Sequence, residues 1–151
     1  MARWMVAADK GVASVQSVAV LTAAAASMRR FRIMDWILGS GSTPNATIDF
    51  IHIIQRCTTA GTGAAVTPSA TDQADTLAST VVAKQTITVD PTLTAGLFFA
   101  WIPLNFNATF RWIPQTYFEL YAPATASNGF MFGVSAATVT SFDDTVFYEE
   151  L

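Results

Sequence analysis

The clearest secondary-structure signal in the chain is the run Arg29-Arg30-Phe31-Arg32-Ile33-Met34-Asp35-Trp36-Ile37-Leu38. Its apolar and polar side chains alternate with a period of two, which is typical of a strand with one buried face. The alternation defines two faces, with Phe31, Ile33 and Ile37 on one and Arg30, Arg32 and Trp36 on the other. The run therefore predicts a half-buried strand.

A turn and a second alternating run follow directly. Residues 39–45 read Gly-Ser-Gly-Ser-Thr-Pro-Asn, and these are the residue types that turns favour. Residues 47–56 read Thr-Ile-Asp-Phe-Ile-His-Ile-Ile-Gln-Arg and have the character of a strand. Two strands joined by such a turn predict a long β-hairpin.

Short strands are predicted along the rest of the chain, at a spacing of roughly 8 to 12 residues. They cover residues 3–7, 15–21, 78–89, 96–106, 111–113, 116–121, 130–135 and 145–150. We therefore expect one all-β domain over residues 1–151, a β-sandwich of about 8–10 strands with little helix, most typically a jelly roll. The alternative at one point is a helix from Val18 to Arg30, where Ala, Leu and Met favour helix.

One long segment lacks the side chains that a core requires. Residues 58–76 consist mainly of Thr, Ala, Gly and Ser, with Pro68 among them. We expect a long surface loop here. Because such loops are uncommon in compact domains unless they bind something or move, the segment is a candidate contact arm.

The composition indicates a protein that shares its surface with other subunits. Charged residues make up 13% of the chain and hydrophobic residues 52%, whereas a soluble domain usually carries charge on about a quarter of its positions. The net charge of −3 and the scattered cations argue against nucleic-acid binding. No run approaches the ~18 to 20 apolar residues of a spanning helix, so we expect neither a membrane anchor nor export by a leader.

Residues able to perform chemistry are few. The single histidine, His52, lies between Ile51 and Ile53, which favours a core or interface position over a metal site, since a cupin-type site needs two or three histidines. The neighbouring carboxylates Asp143 and Asp144 should point to opposite faces of a strand. We predict no catalytic residue, no cofactor and no metal, with a calcium site at Asp143-Asp144 as the alternative. The single cysteine, Cys57, is expected to be buried.

Aromatic residues are concentrated between positions 98 and 121. They are Phe98, Phe99, Trp101, Phe106, Phe110, Trp112, Tyr117, Phe118 and Tyr121. Most should belong to the core, and the surplus suits a subunit interface, because aromatic residues are enriched at the centres of protein contacts. We assign Trp101, Trp112 and Tyr121 to that surplus. A sugar-binding platform of exposed rings is the competing interpretation.

Four segments carry a resemblance to a known group of proteins. They are Arg30 to Trp36, Thr58 to Pro68, Phe110-Arg111-Trp112-Ile113-Pro114 and Phe147-Tyr148-Glu149-Glu150. In these segments the chain resembles small structural proteins encoded among the head genes of tailed bacteriophages, known as capsid decoration or cement proteins. The chain differs from that group in having fewer charges and a more apolar beginning. Residues 1–28 are therefore either strands of the sandwich or an N-terminal arm.

The resemblance implies a role and a set of partners. It implies a jelly-roll or sandwich subunit, made in the host cytoplasm, that joins the virion as a homotrimer on the outer surface of an icosahedral capsid. Its partners would be the major capsid protein and copies of itself. The predicted subunit or capsid interface comprises Trp4, Arg30, Arg32, Trp36, Trp101, Trp112 and Tyr121. A carbohydrate- or receptor-binding sandwich of a phage tail or spike is the alternative.

Overall fold

The described part of the protein consists of strands and their connections. The computed structural model describes residues 2–10, 15–24, 29–40, 49–75, 77–105, 108–135 and 142–151. In chain order the strands are β1 Arg3–Asp9, β2 Ser17–Ala23, β3 Phe31–Ser40, β4 Asp49–Cys57, β5 Thr62–Val66, β6 Ser69–Ala70, β7 Val81–Val89, β8 Leu93–Asn105, β9 Phe110–Trp112, β10 Leu120–Ala122, β11 Gly129–Val134 and β12 Phe142–Glu150. No helix occurs within these ranges.

The strands form two antiparallel sheets that pack face to face. The first sheet has the order β10-β3-β12-β1-β6, and β9 also pairs with β3. The second sheet has the order β5-β7-β2-β11-β4-β8. This arrangement confirms the prediction of an all-β sandwich, with more strands than the sequence suggested. The jelly-roll variant stays a prediction.

The main core lies between the sheets and is built largely from aromatic rings. Phe31 of β3 meets Phe130 of β11 edge to face, with 6.0 Å between ring centroids. Trp36 of β3 lies 5.6 Å from Phe132 of β11. Each such ring contributes roughly 1.5–3 kcal/mol by leaving water. Contacts between β3 and β11 therefore hold the two sheets together.

Glycine allows the central strands of the second sheet to approach one another closely. A Cβ atom at Gly129 would lie 1.9 Å from the carbonyl oxygen of Leu21, and one at Gly133 would lie 2.3 Å from that of Gln16. All six residues of β11 are buried. Strand β11 therefore has no room for side chains at its two glycines.

The beginning of the chain belongs to the sandwich. Strand β1 lies between β12 and β6, and β2 lies between β7 and β11. All seven residues of β2 are buried. Residues 3–9 and 17–23 are thus strands and not an arm, and the helix considered from Val18 onward is replaced by β2. The arm hypothesis for residues 1, 11–14 and 25–28 lies outside the described residues.

The predicted hairpin between residues 29–38 and 47–56 is wrong. Strand β3 belongs to the first sheet and β4 to the second, so the two strands do not pair. Strand β3 pairs with β12, β9 and β10, and β4 pairs with β11 and β8. Alternation of side chains shows that a segment has a buried face but does not identify the neighbouring strand.

A bulge in β3 changes which side chains face the core. Ile33 pairs with Tyr148 and Asp35 pairs with Phe147, so Met34 is an extra residue. An extra residue shifts the alternation by one position. Beyond the bulge, Trp36 therefore points into the core and Ile37 away from it, which is the reverse of the predicted faces.

Residues 58–76 are not simply a loop. Strand β5 in this segment pairs with β7, and β6 pairs with β1. Small side chains suit this position, because a Cβ atom at Gly63 would lie 2.6 Å from the carbonyl oxygen of Gln85. Backbone hydrogen bonds alone can hold such an edge strand, which is why a composition without large side chains was misleading.

Candidate assembly surface

Strand β8 forms one edge of the second sheet. It pairs with β4 on one side and with no described strand on the other. Its 13 residues include Leu97, Phe98, Phe99 and Trp101, all of which are exposed. Proline at position 103 is compatible with an edge strand. A long apolar edge with free backbone groups is a natural site for contact with another chain.

A bulge in β8 sets the direction of these rings. Phe98 and Ala100 pair with consecutive residues of β4, so Phe99 is the extra residue. The bulge brings Phe98 and Trp101 to the same side, where their rings meet edge to face at 4.8 Å. The Trp101 side chain is 52% exposed, so this ring pair forms part of the outer surface.

A turn between β9 and β10 presents two more rings. Tyr117 is 92% exposed and Phe118 is 73% exposed. The Phe118 N–H donates to the Gln115 carbonyl at 2.8 Å, and the Tyr117 N–H donates to Glu119 Oε2 at 3.0 Å. Tyr117 has a φ of 76°, in the left-handed region that tyrosine rarely occupies. Strain of this kind is concentrated at functional sites.

The two sets of rings lie on the same side of the sandwich. Trp36 of β3 lies 6.5 Å from His52 of β4, so these strands face each other across the core. Strand β10 flanks β3 and β8 flanks β4. Phe99 and Tyr121, from the two flanking strands, line one cleft. We call this surface the aromatic edge, and it consists of Leu97, Phe98, Trp101, Ile113, Tyr117, Phe118 and Tyr121.

Three of the predicted interface residues lie in or beside the aromatic edge. Trp101 and Tyr121 are exposed there. Trp112 is half-buried, packs against the core and lines a cleft of about 410 Å³ together with Ile113 and Phe118. The three aromatic residues that were assigned to the surplus therefore lie on β8, β9 and β10, and Trp112 and Tyr121 line separate clefts.

Trp4 and Trp36 are core residues, which corrects their assignment to an interface. Trp4 is 3% exposed and Trp36 is 0% exposed. Trp4 occupies an inward position of β1, and the bulge at Met34 turns Trp36 inward. Neither indole is available to a partner in this fold.

The two predicted arginines have different environments. Arg32 donates from Nε to Glu149 Oε2 at 2.7 Å and lies 3.5 Å from Glu119. Burial opposes ionisation of Glu149, but hydrogen bonds from Arg32 and Arg3 outweigh it and lower its pKa. Arg32 thus stabilises the subunit itself. Arg30 is exposed, and its Cζ lies 5.3 Å from the centre of the Tyr121 ring.

Two groups considered for chemistry are buried in apolar surroundings. His52 is 4% exposed, and its ring lies 5.3 Å from that of Phe142. Burial lowers the pKa of His52 to about 4. Cys57 is a buried free thiol, and burial raises its pKa to about 12. Both groups are therefore neutral near pH 7 and closed to solvent.

The acidic pair at the start of β12 is divided between two environments. Asp143 is exposed and faces Asp9 of β1, whereas Asp144 is 2% exposed and points into the core. Burial, reinforced by the neighbouring Asp143, raises the pKa of Asp144 to about 8. A side-chain hydrogen bond from the Trp36 indole opposes this rise without cancelling it. The two carboxylates do not converge on one calcium ion.

The described residues offer neither a metal site nor a membrane-spanning helix. Among the described residues, no group of three or more His, Cys, Asp or Glu side chains could hold a metal ion. Nor do these ranges contain a helix with the length and apolar character needed to cross a membrane.

Similarity to known proteins does not assign a family. No family model, curated protein or solved structure matches the chain.

Sequence reasoning missed several members of the aromatic edge. Leu97 and Ile113 were not considered, and Tyr117 and Phe118 were counted with the aromatic cluster but not assigned to the surplus. The available signal was position: Pro114 and the polar residues Gln115 and Thr116 mark a turn next to Tyr117. Large side chains in a turn have fewer neighbours to cover them than those in a central strand.

Proposed function

We propose that this protein is a non-enzymatic structural subunit of a virion. It assembles with copies of itself, as a trimer, and decorates the outer surface of a tailed-phage capsid by binding the major capsid protein. The aromatic edge is the observation that carries the proposal. Seven large, uncharged side chains exposed along one side of a small domain are typical of a surface that a partner covers.

The distribution of charge supports an assembly role. Several of the cations are engaged within the subunit: Arg3 and Arg32 bind Glu149, Arg111 binds Asp35, and Lys84 donates to the Gly61 carbonyl. These contacts stabilise the fold, and the seven side chains that define the aromatic edge are themselves uncharged. Covering that edge by association removes apolar surface from water, which favours oligomers.

The oligomer is tested by measuring the mass of the purified chain. Size-exclusion chromatography with light scattering at micromolar concentration should give about 49 kDa for a trimer, three times the 16.2 kDa of one chain. A stable monomer at that concentration would overturn the assembly role.

The aromatic edge is tested by paired substitutions. Trp101→Ser combined with Phe118→Ser should shift the protein toward monomer, because it removes two large rings from the proposed contact. Val89→Ser is the matched control, since Val89 is 58% exposed on β7, on the other side of the sandwich. Equal masses for wild type and the double variant would show that the edge is not the interface.

The capsid role rests on the resemblance of four segments to cement proteins and needs its own test. Mass spectrometry of purified virions from the phage that carries this gene should detect the chain at a fixed ratio to the major capsid protein. Its absence from intact particles would overturn the capsid role and leave the assembly role standing.

A carbohydrate-binding module is the second candidate. The cleft lined by Trp112, Ile113 and Phe118 combines ring faces with the Gln115 side chain, as sugar sites do. This candidate predicts binding on a glycan array that is lost with Trp112→Ala or Trp101→Ala, while the oligomer persists. Loss of the oligomer in the same variants, with no glycan bound, supports the structural role.

A further inference from the structure

Next to the aromatic edge lies a cleft with two arginines, which we call the arginine cleft. It measures about 310 Å³ and includes Arg30, Arg56, Phe99, Tyr121 and Phe130 in its lining. Arg30 precedes β3, and Arg56 lies near the end of β4, so the cleft opens at one end of the sandwich. The arginine cleft thus combines two cationic side chains with an apolar floor.

The arginine cleft lacks an anion of its own. Arg3, Arg32 and Arg111 all form ion pairs with carboxylates. Within the described ranges, by contrast, neither Arg30 nor Arg56 has such a partner, and Arg30 instead lies over the Tyr121 ring. Two guanidinium groups beside aromatic rings form a site for carboxylate groups, because arginine binds carboxylates in a paired geometry and stacks on rings.

The opposite edge of the first sheet carries matching groups. Between β6 and β7, Asp72 accepts a hydrogen bond from the Ala74 N–H at 2.9 Å, and Asp75 accepts one from the Leu77 N–H at 3.0 Å. Leu77 is 66% exposed. We call Asp72, Asp75 and Leu77 the acidic loop. Neither carboxylate pairs with a cation among the described residues, and each retains a second oxygen for a partner.

The acidic loop is held in place at its start. The Thr71 N–H donates to the Arg3 carbonyl at 3.0 Å, which ties the loop to β1. The hydrogen bond that Asp72 accepts from the Ala74 N–H holds the turn that follows Asp72. A preformed loop loses little conformational entropy on binding.

We propose that the arginine cleft of one copy binds the acidic loop of the next copy. Strand β10, which carries Tyr121, lies at one edge of the first sheet and β6 at the other, so the two surfaces are on opposite edges of one subunit. Two carboxylates and a leucine match two guanidiniums and an apolar floor. This proposal rests on the proposed self-assembly and specifies its geometry: the contact is head to tail, as in a cyclic oligomer.

Charge reversal on each surface tests the pairing. Arg30→Glu with Arg56→Glu removes the cleft, and Asp72→Arg with Asp75→Arg removes the loop. Each double variant should fall to the mass of one chain, 16.2 kDa, whereas the chain with all four substitutions should recover the oligomer. Thr88→Glu, at an exposed position on β7, is the control for added negative charge and should keep the wild-type mass.

Mixing two altered chains gives a sharper result. The charge-reversed cleft variant keeps its loop, and Asp72→Asn with Asp75→Asn keeps its cleft, while the reversed cleft and the neutral loop no longer match each other. Together the two chains should therefore form a 1:1 dimer that cannot extend, and this dimer is the signature of head-to-tail contact. Milder variants, Arg56→Gln and Asp72→Asn with Asp75→Asn, should weaken the oligomer without adding charge, and circular dichroism checks that each variant is folded.

The outcomes separate this inference from the proposed function. If the wild type is oligomeric and both charge-reversed variants keep its mass, the cleft-to-loop pairing is wrong while self-assembly stands. If the wild type is monomeric, both fail. Raising the salt concentration to 1 M should also weaken the pairing, because exposed charges are screened within about 3 Å at that salt. An oligomer unaffected by salt contradicts the pairing.

Discussion

The aromatic rings of this protein fall into two groups of similar composition and opposite environment. In the core, Phe31, Trp36 and Phe132 are fully buried. Along the aromatic edge, Trp101, Tyr117 and Phe118 are largely exposed. The cause is how many neighbouring strands surround each ring. Strand β3 has strands on both sides and a sheet across the core, whereas β8 pairs with one strand among the described residues, and Tyr117 and Phe118 lie in a turn. Residue type thus identifies the side chains that favour burial. The topology decides whether these side chains pack in the core or remain available to a partner.

Replacing one tryptophan from each group should give the largest difference in the free energy of unfolding. Trp36→Ala should lower the free energy of unfolding by about 3–5 kcal/mol, because it leaves a cavity in the core. Trp101→Ala should cost less than about 1 kcal/mol, since its ring is already half in water. Urea denaturation at concentrations where the chain is dissociated measures both. Similar losses of unfolding free energy for the two variants would contradict the distinction between core and edge rings.

The core, unlike the aromatic edge, contains a buried carboxyl group, Asp144, and this group should make the stability of the fold depend on pH. Asp144 has a pKa of about 8 in the folded core and an ordinary value near 3.8 when unfolded. The folded state therefore binds more protons than the unfolded state between these values, and its stability falls as pH rises through this window. With one pKa unit worth about 1.4 kcal/mol, the loss from Asp144 between pH 5 and pH 8 should be about 4 kcal/mol.

Asp144→Asn isolates this contribution. The amide does not ionise, so the difference in unfolding free energy between variant and wild type should move in favour of the variant as pH rises from 5 to 8. Titration of His52 acts in the opposite direction, because its lowered pKa makes stability rise with pH between about 4 and 6.5. That effect is common to both proteins and cancels in the difference. A difference independent of pH would show that Asp144 is ionised in the folded core.

The smallest expected effect concerns Tyr117 at the aromatic edge. Tyr117→Gly should raise the stability of the dissociated chain by up to about 1 kcal/mol, because glycine occupies the left-handed region without strain. The same change removes an exposed ring and should weaken the oligomer. Tyr117→Ala is the control, since it removes the ring but keeps the strain. Light scattering and urea denaturation of the two variants separate assembly from stability. A lower free energy of unfolding for Tyr117→Gly than for wild type would show that the backbone of Tyr117 is not strained.

Much of the fold class could be predicted because alternation of side chains is a local property. The strands around residues 31–38, 81–89 and 130–134 were found from their pattern. The predicted strand at residues 116–121 is confirmed only at its end, as β10, because the preceding residues form the turn that exposes Tyr117 and Phe118. Pattern and propensity do not distinguish a short strand from a turn when both contain aromatic residues.

The errors arose where distant strands determine the result. Whether Trp36 faced inward depended on the bulge at Met34, which exists only because β12 pairs with β3 in that register. Whether residues 62–66 formed a strand depended on backbone hydrogen bonds with β7. None of these partners is adjacent in sequence.

Composition and alternation were sufficient to establish an all-β sandwich with too many apolar side chains and too few charges for an ordinary free surface, because both follow from residues close together in the chain. Strand order, the two bulges and the grouping of rings and arginines at one edge became visible only in three dimensions. They arise from pairing between segments up to the full length of the chain apart, and local physical chemistry does not specify such pairing.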